Sequence, residues 1–468
     1  MAAERASSPG PPFLFPILAF AGVFQAVLQT VMVPLLPSMP TFTGASQTSV
    51  SWLITTTLLV GAVVTPIFGR LADMFGKKRM LLIALVVMTL GAVICAMTSN
   101  IALLIFARGL QGAGAAVIPV GISILRDELP REKVGRAIAM MSSTLGIGTA
   151  LGLPFAAAIA KYSNWHVLFW VITAIGLAVT TMAALFIRES DLKSGGRFDG
   201  VGAVGLTAAL VCLLVPITQG TTWGWGSPAV LGMFASSAFL FALWGFQQMR
   251  NRNPLVDLRV SAHRSLLLPN VTALLVGFAF YGNALITTQL LQAPAGEAGY
   301  GLTIFEAALA QLPTSLSMIV FAQVGARVSE RYGPKVTVLA GAVCLVVGYG
   351  MHTVPGKPLW MVIAALAIAA VGTAFVYSTL PMLIIRAVQP EQMAAANGVN
   401  VLLRTVGTTM CSAVVATVLA ASMVGGVASS AGFSLAYGIC AALAALVFMV
   451  ALALPGHDRP PHPHADSE

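Results

Sequence analysis

The sequence predicts an all-α polytopic membrane protein of fourteen spans. Three observations predict it: a shortage of charge, fourteen apolar runs of spanning length, and basic residues placed almost entirely on one side. Of the 468 residues, 57% are hydrophobic and only 9% are charged, against about 25% charged in a soluble globular protein. Most of such a chain never meets water. A helix needs about 20 mainly apolar residues to cross a bilayer. Runs of that kind cover 13–36, 49–69, 80–98, 102–125, 137–160, 167–187, 200–220, 228–249, 267–291, 304–326, 336–354, 358–385, 399–424 and 430–454. The pair 200–220 and 228–249 stands out least, yet both runs are free of charge.

Charge sets the orientation, because loops left in the cytoplasm are rich in Lys and Arg. With the N-terminus inside, 21 of the 25 basic residues fall in inward segments and two, Lys161 and Lys357, in outward ones. The remaining two, Arg108 and Arg404, lie within spans. This split supports an even number of spans, with both termini cytoplasmic in a cell membrane. The net charge of +9 is carried by short clusters between apolar runs. It therefore reads as membrane orientation rather than as a nucleic-acid surface. The cysteines Cys95, Cys212, Cys344, Cys411 and Cys440 all sit inside apolar runs and read as small core residues. The first apolar run is too long for a signal h-region and reads as the first membrane helix. The tail after Pro455, with His457, His462 and His464, is polar and Pro-rich and reads as a solvated segment.

An internal repeat divides the chain. The loop after the second span reads GRLADMFGKKR over 69–79, and the loop after the tenth reads ARVSERYGPKV over 326–336. Aligning Gly76 with Gly333 sets Arg70 on Arg327, Asp73 on Glu330, Phe75 on Tyr332 and Lys78 on Lys335. Two homologous halves related by an axis along the membrane normal are a transporter signature. The expected organisation is a cytoplasmic N-terminus at 1–12 and an N-terminal six-helix half at 13–190. A linker with two inserted spans follows at 191–264, then a C-terminal six-helix half at 265–455 and a cytoplasmic tail at 456–468.

These motifs resemble the major facilitator superfamily. GRLADMFGKKR resembles its cytoplasmic loop motif, LLIFARGLQGAGAA at 103–116 its fourth-helix motif, and GIGTALGLP at 146–154 its fifth-helix antiporter motif. RFDGVGAVGL and WGWGSP resemble the inserted spans of the fourteen-span drug:proton antiporter family, and LLRTVGTTM at 402–410 its thirteenth span. The resemblance implies a secondary exporter of small amphipathic molecules such as antibiotics. It would work by alternating access, driven by the proton gradient and without a cofactor. A functional monomer is expected, with the bilayer and a small-molecule substrate as its partners. A proton-coupled importer, a passive facilitator and a non-transporting receptor remain alternatives. There is no P-loop, no His/Cys metal cluster and no catalytic constellation in the sequence.

The residues carry their own physical reading. Gly69 and Gly76 permit close packing and a tight turn. Asp73 can pair with Arg70 or Lys77 and latch one state. Asp127, at the inner end of the fourth span, and Glu330, in the second copy of the loop, complete the expected latch. Arg108 sits roughly 10 Å into its span by helix rise. A guanidinium there needs a cavity or a partner. Gln111 shares its face, so Arg108 is expected on the central cavity, with hydrogen bonds to backbone carbonyls as the structural alternative. Arg404, nearer the inner interface, can snorkel or act. Gly146, Gly148, Gly152 and Pro154 suit close helix approach and a bend. The first span departs from the family's pattern, since Leu28 stands where an Asp is common. None of the 16 acids lies deep in a span; Asp73, Asp127, Glu297, Glu306 and Glu330 are all near an interface. The expected cavity is lined instead by Gln25, Gln29, Thr30, Gln111, Asn283, Thr287, Gln289 and Tyr377, with Thr373 nearby. Neutral or weakly acidic substrates are expected to be favoured over lipophilic dications. Proton coupling would fall to Asp73, Asp127 or Glu306.

Overall fold

A computed structural model describes residues 13–32, 35, 39–190, 197–296, 299–354, 356–389, 392–424 and 427–454. Arg5, Arg459, Lys193, Glu297, Pro37, Ser38 and the three tail histidines lie outside the described residues, as do the side chains of Arg131 and Lys161. Among the described residues, fourteen main helices follow one another in the expected order. In the first half they are α1 (Leu14–Thr30), α2 (Gln47–Phe75), α3 (Lys77–Met97), α4 (Ile101–Glu128), α5 (Arg131–Tyr162) and α6 (Trp165–Phe186). The inserted pair is α7 (Gly200–Trp223) and α8 (Pro228–Arg250). The second half holds α9 (Arg264–Gln292), α10 (Leu312–Tyr332), α11 (Pro334–His352), α12 (Leu359–Ala387), α13 (Met393–Ala421) and α14 (Ser430–Leu452). Among the described residues, thirteen helical segments are long and apolar enough to cross a membrane, and α1 has 17 residues.

Polar side chains mark the helix starts, as the four orphan N–H groups of a first turn require. Ser46, Asn100, Asn164, Ser227 and Ser429 each accept from a backbone N–H in the turn that follows. Thr303 and Glu306 form a reciprocal capping box on the short helix Ile304–Ala310 that leads into α10. The repeat is visible in the backbone. Gly76 joins α2 to α3 at φ 120°, and Gly333 joins α10 to α11 at φ 92°. Both turns lie in the left-handed region that only glycine enters without strain.

Three cores follow from this order. One unites α1, α3, α4, α5 and α6 around Leu18, Leu85, Leu125, Ile138 and Phe169. A second unites α9 to α14 around Val276, Leu345, Leu366 and Tyr437. The third belongs to neither half: Leu210 and Leu214 of α7 pack with Ala62 of α2 and with Leu402 and Val406 of α13. Polar ties flank it. Gln219 of α7 donates to Ser51 Oγ at 3.4 Å, and the Trp225 indole donates to Thr417 Oγ1 at 3.1 Å. Within the pair, Trp244 donates to the Gly202 carbonyl at 2.8 Å and Ser237 to the Ala209 carbonyl at 3.0 Å. Asp199 caps α7 and accepts from Gln247 and Gln248 of α8. Burial pushes the Asp199 carboxyl up, but its hydrogen bonds outweigh that and hold it below the ordinary carboxylate value. The outer face of α8, with Leu231, Phe239, Leu243 and Phe246, is exposed and apolar, as a lipid-facing helix must be.

Both halves cross their first and fifth helices on glycine. In the first half, a Cβ on Gly148 or Gly152 of α5 would run into Ala26 or Thr30 of α1. In the second, a Cβ on Gly407 of α13 would meet the Leu274 carbonyl of α9. Gly438 of α14 has nothing within 4 Å of its Cβ position. Gly407→Leu should therefore lower stability by about 1–3 kcal/mol through overpacking. Gly438→Leu should leave the thermal unfolding midpoint of the purified protein unchanged, and equal midpoints for the two variants would refute the close-crossing account.

Candidate functional site

At the basic end of the molecule, where the repeated loops lie, the halves are joined by a carboxylate. Asp73 of α2 is fully buried. It accepts from the backbone N–H of Ala394 at 3.2 Å and of Ala395 at 2.9 Å. These are the second and third residues of α13, so Asp73 caps that helix from across the interface. It also places negative charge on the positive end of the helix dipole. The approach is close: a Cβ on Gly69 would lie 2.5 Å from the Ala394 carbonyl oxygen. Glycine at 69 is what allows the two helices to touch.

The other latch residues are divided between two further contacts. Lys77 Nζ pairs with Asp127 Oδ2 at 2.6 Å, with both side chains almost wholly buried. Ser190 Oγ donates to the same oxygen at 2.6 Å. Lys77 is hydrogen-bonded to Asp127 rather than to Asp73, so both Asp73 oxygens are left to α13 while Lys77 fastens α3 to the end of α4. Glu189 accepts from the backbone N–H groups of Lys78 at 3.0 Å and Arg79 at 3.2 Å, and so caps α3. A Cβ on Gly76 would collide with that carboxylate. Sequence reasoning missed Glu189, although a lone acid following an apolar span is a signal for a helix cap. Glu330 lies against the start of the second turn of α5, where a Cβ on Gly135 would be 2.7 Å from its Oε1. It mirrors Asp73 in position but is exposed rather than buried. Arg70 is buried beside this cluster.

Arg108 is 1% exposed and is held by backbone. It donates to the carbonyls of Leu53 and Leu28, each at 3.2 Å, and to the Gln111 side chain. Thr57 of α2 in turn donates to the Arg108 carbonyl at 3.0 Å. Arg108 thus ties α1, α2 and α4 together, which is the structural alternative considered for it. The Leu28 carbonyl receives the guanidinium at the position where the resemblance had implied an acid.

Two small cavities lie between the halves. One is lined by Gln25 and Gln29 of α1, Thr57 and Gly61 of α2, Gln111 of α4 and Thr405 of α13. The other is lined by Ile118 and Pro119 of α4, Ser142 of α5, Tyr377 of α12, and Asn400 and Arg404 of α13, among others. Each holds about 20 Å³, room for roughly one water molecule. Arg404 and Thr405, successive residues of α13, each line one of them. The structure therefore gathers Gln25, Gln29, Gln111 and Tyr377 along the interface of the halves. It does not gather the α9 residues with them. Thr287 shares a hydrogen bond of 2.6 Å with the Tyr437 hydroxyl, Asn283 donates to the Leu366 carbonyl at 3.5 Å, and Gln289 is exposed. Thr373 Oγ1 is bonded to the Ala369 carbonyl within α12. Thr30 is bonded within α1 and, at 3.5 Å, to the Gly148 carbonyl. Gly146 packs on Met318 of α10, and Pro154 lies inside α5. Glu306 is exposed and accepts from its Thr303 partner in the capping box.

Paired helical bundles, cross-capped at one end and with small cavities along their interface, are the architecture of a two-halved membrane transporter. Comparison with known proteins makes this specific. The model of the Major Facilitator Superfamily matches residues 18–411 and 272–468, and the chain belongs to that superfamily. It is a membrane transporter, not an enzyme. It is 28% identical over 404 residues to the multidrug resistance protein Stp of Mycobacterium tuberculosis, covering 86% of this chain and 74% of that one. It is 27% identical over 366 residues to the tetracenomycin C resistance and export protein of Streptomyces glaucescens, covering 76% and 67%. It is 27% identical over 417 residues to the probable actinorhodin transporter of Streptomyces coelicolor, covering 86% and 71%. Among solved structures, the human organic anion transporter TETRAN superposes with a TM-score of 0.68 at 15% identity, covering 94% of this chain and all of that one. At that identity the likeness concerns the fold alone.

The buried pair gives a clean expectation. Lys77→Met should strand the Asp127 charge and cost about 3–5 kcal/mol. Adding Asp127→Leu should recover most of it, because an apolar pair replaces an ionic one at little net cost. Thermal midpoints of the single and double variants measure this, and a double variant less stable than the single would sink the account.

Proposed function

We propose that the protein is a secondary exporter of small amphipathic molecules, coupled to proton entry, acting as a monomer in the cell membrane with its basic end in the cytoplasm. The observation that carries the reading is the Asp73 cap on α13. It is a buried, charge-bearing contact between the two halves at one end, so its breakage is a physical route to opening that end. The names of the relatives, as multidrug resistance and antibiotic export proteins, support export. Protonating Asp73 would remove the charge that faces the helix N-terminus, which ties a proton to the same contact. The energy source is then the proton gradient, with no bound cofactor.

Asp73→Asn should reduce drug efflux from proteoliposomes by about tenfold or more, with a thermal midpoint lowered only modestly, since the amide keeps the shape and one acceptor oxygen but loses the charge and the second acceptor. Efflux at the wild-type rate would remove the latch from the mechanism. Arg108→Ala should instead lower both stability and transport, because three helices lose a shared donor. Arg108→Lys should rescue only in part, for want of a planar fork.

Coupling is read separately. A pH jump across proteoliposomes should accelerate efflux in the wild type and fail to do so in Asp73→Asn. Glu306→Gln should respond like the wild type, because that side chain is spent on a surface cap. Efflux that ignores the gradient in the wild type would identify a facilitator. Uptake from the opposite face would identify an importer, and no flux under either condition would identify a receptor that kept the fold.

A further inference from the structure

Of the two basic residues within the spans, Arg404 lines one of the two cavities described above and Arg108 lines neither. Arg108 is satisfied by carbonyls on three sides. Arg404 has no carboxylate or hydrogen-bond acceptor among the described residues; its guanidinium lies 5.0 Å from the centre of the Tyr377 ring. Beside it the Tyr377 hydroxyl is buried and has no hydrogen-bond partner. The ring of Phe280 backs Tyr377 at 5.7 Å. Asn400 lines the same space, its amide nitrogen already committed to Asn270 Oδ1 at 3.0 Å. Ile118, Pro119, Ile122 and Leu145 of the other half form the opposing wall. No Asp or Glu lines the cavity.

A half-buried cation and a buried, unpaired hydroxyl donor, in a space whose other polar side chains are the neutral Ser142, Asn397 and Asn400, are costly unless something accepts from them. The aromatic face under Arg404 offsets part of that cost but leaves the outward edge of the guanidinium unpaired. What fits is an anion, its charge on Arg404 and the Tyr377 hydroxyl, with an apolar body against the α4–α5 wall. The present volume admits only water, so the anion would enter as the halves part at the basic end. We propose that Arg404 and Tyr377 form the anion subsite of the substrate pathway, and that the preferred substrates are aromatic or otherwise amphipathic organic anions bearing a carboxylate or an ionised phenol. The proposal rests on the transport reading above and supplies its substrate class.

The test is direct binding to the full-length protein in phosphatidylcholine nanodiscs, which also removes anionic lipid headgroups as a competing source of the anion. Fluorescein and rhodamine 123 share a ring system but differ in charge, and fluorescence anisotropy at mildly alkaline pH reports both. Fluorescein should bind, and Arg404→Gln should weaken it by about tenfold or more, the loss expected when a charge-assisted hydrogen bond goes. Arg404→Lys should be intermediate. Tyr377→Phe should weaken fluorescein by about threefold to tenfold for one neutral donor, while rhodamine 123 binding stays weak and unmoved by any of the three. A conservative phenylalanine at 377 guards against misfolding as the cause. Failure of fluorescein to bind, equal binding by Arg404→Gln, or tighter binding of rhodamine 123 would overturn the subsite. Adding phosphatidylglycerol should compete only weakly; full displacement of fluorescein would reassign the subsite to a lipid headgroup and overturn the substrate claim. Binding without efflux in proteoliposomes would leave the subsite standing and count against the exporter reading instead.

Discussion

The carboxylate of Asp73 meets the first turn of α13 where the two halves touch, and much of the basic end is arranged around that contact. A helix N-terminus presents N–H groups that need acceptors and a dipole that favours negative charge. Most helix starts described above solve this within their own chain segment, with a Ser, Thr or Asn just ahead. α13 draws on the other half of the protein. Its stability at that end is thereby conditional on how the halves sit. Gly69 permits the approach, and the Lys77–Asp127 pair keeps the neighbouring cation from competing for Asp73.

The repeat makes the asymmetry informative. Glu330 occupies the place of Asp73 in the second copy and lies against α5, the counterpart of α13. Yet Glu330 is exposed where Asp73 is fully buried. Charge in water is screened and worth little, whereas charge out of water is strongly felt. Of two formally equivalent contacts, the one through α2 and α13 is the one whose charge is held out of water. The inserted pair sits on that same side. α7 packs against α2 and α13 together, so opening there must either carry α7 along or slide it over one of its partners.

The fold was legible in the sequence because its determinants are one-dimensional. Span number follows from run length, the paired halves from the repeated loop, and the positive-φ glycines from their place in it. The site was legible only in part. Gln25, Gln29, Gln111 and Tyr377 line small cavities at the interface of the halves. Asn283, Thr287 and Gln289 of α9 do not, because a helix apolar on nearly every face gives no rotational phase from which to read its inward side. The partner of Asp73 was hidden for another reason. A backbone N–H carries no residue-type signature, so no pattern in the sequence could point from Asp73 to Ala394 and Ala395. The same blindness concealed the Glu189 cap on α3 and set Arg108 on a cavity when its acceptors were carbonyls of α1 and α2.

The two intramembrane arginines show how far residue type alone can mislead. Both are guanidiniums within spans, and each must be compensated for leaving water. Arg108 is compensated by fixed carbonyls and one amide, all on its own half. Such a residue rigidifies a bundle and has little left to offer a ligand. Arg404 has an aromatic face and a void, and the void is bounded by residues of the opposite half. Its compensation is therefore incomplete within either bundle and depends on what occupies the interface. A group whose solvation changes when two rigid bodies separate is coupled to that separation by necessity, because any ligand that satisfies it in one arrangement and not the other shifts the balance between them. On this argument Arg404, not the more deeply buried Arg108, is the cation through which cargo could bias the motion of the halves. The latch on the same helix, at Ala394 and Ala395, lies some three turns away.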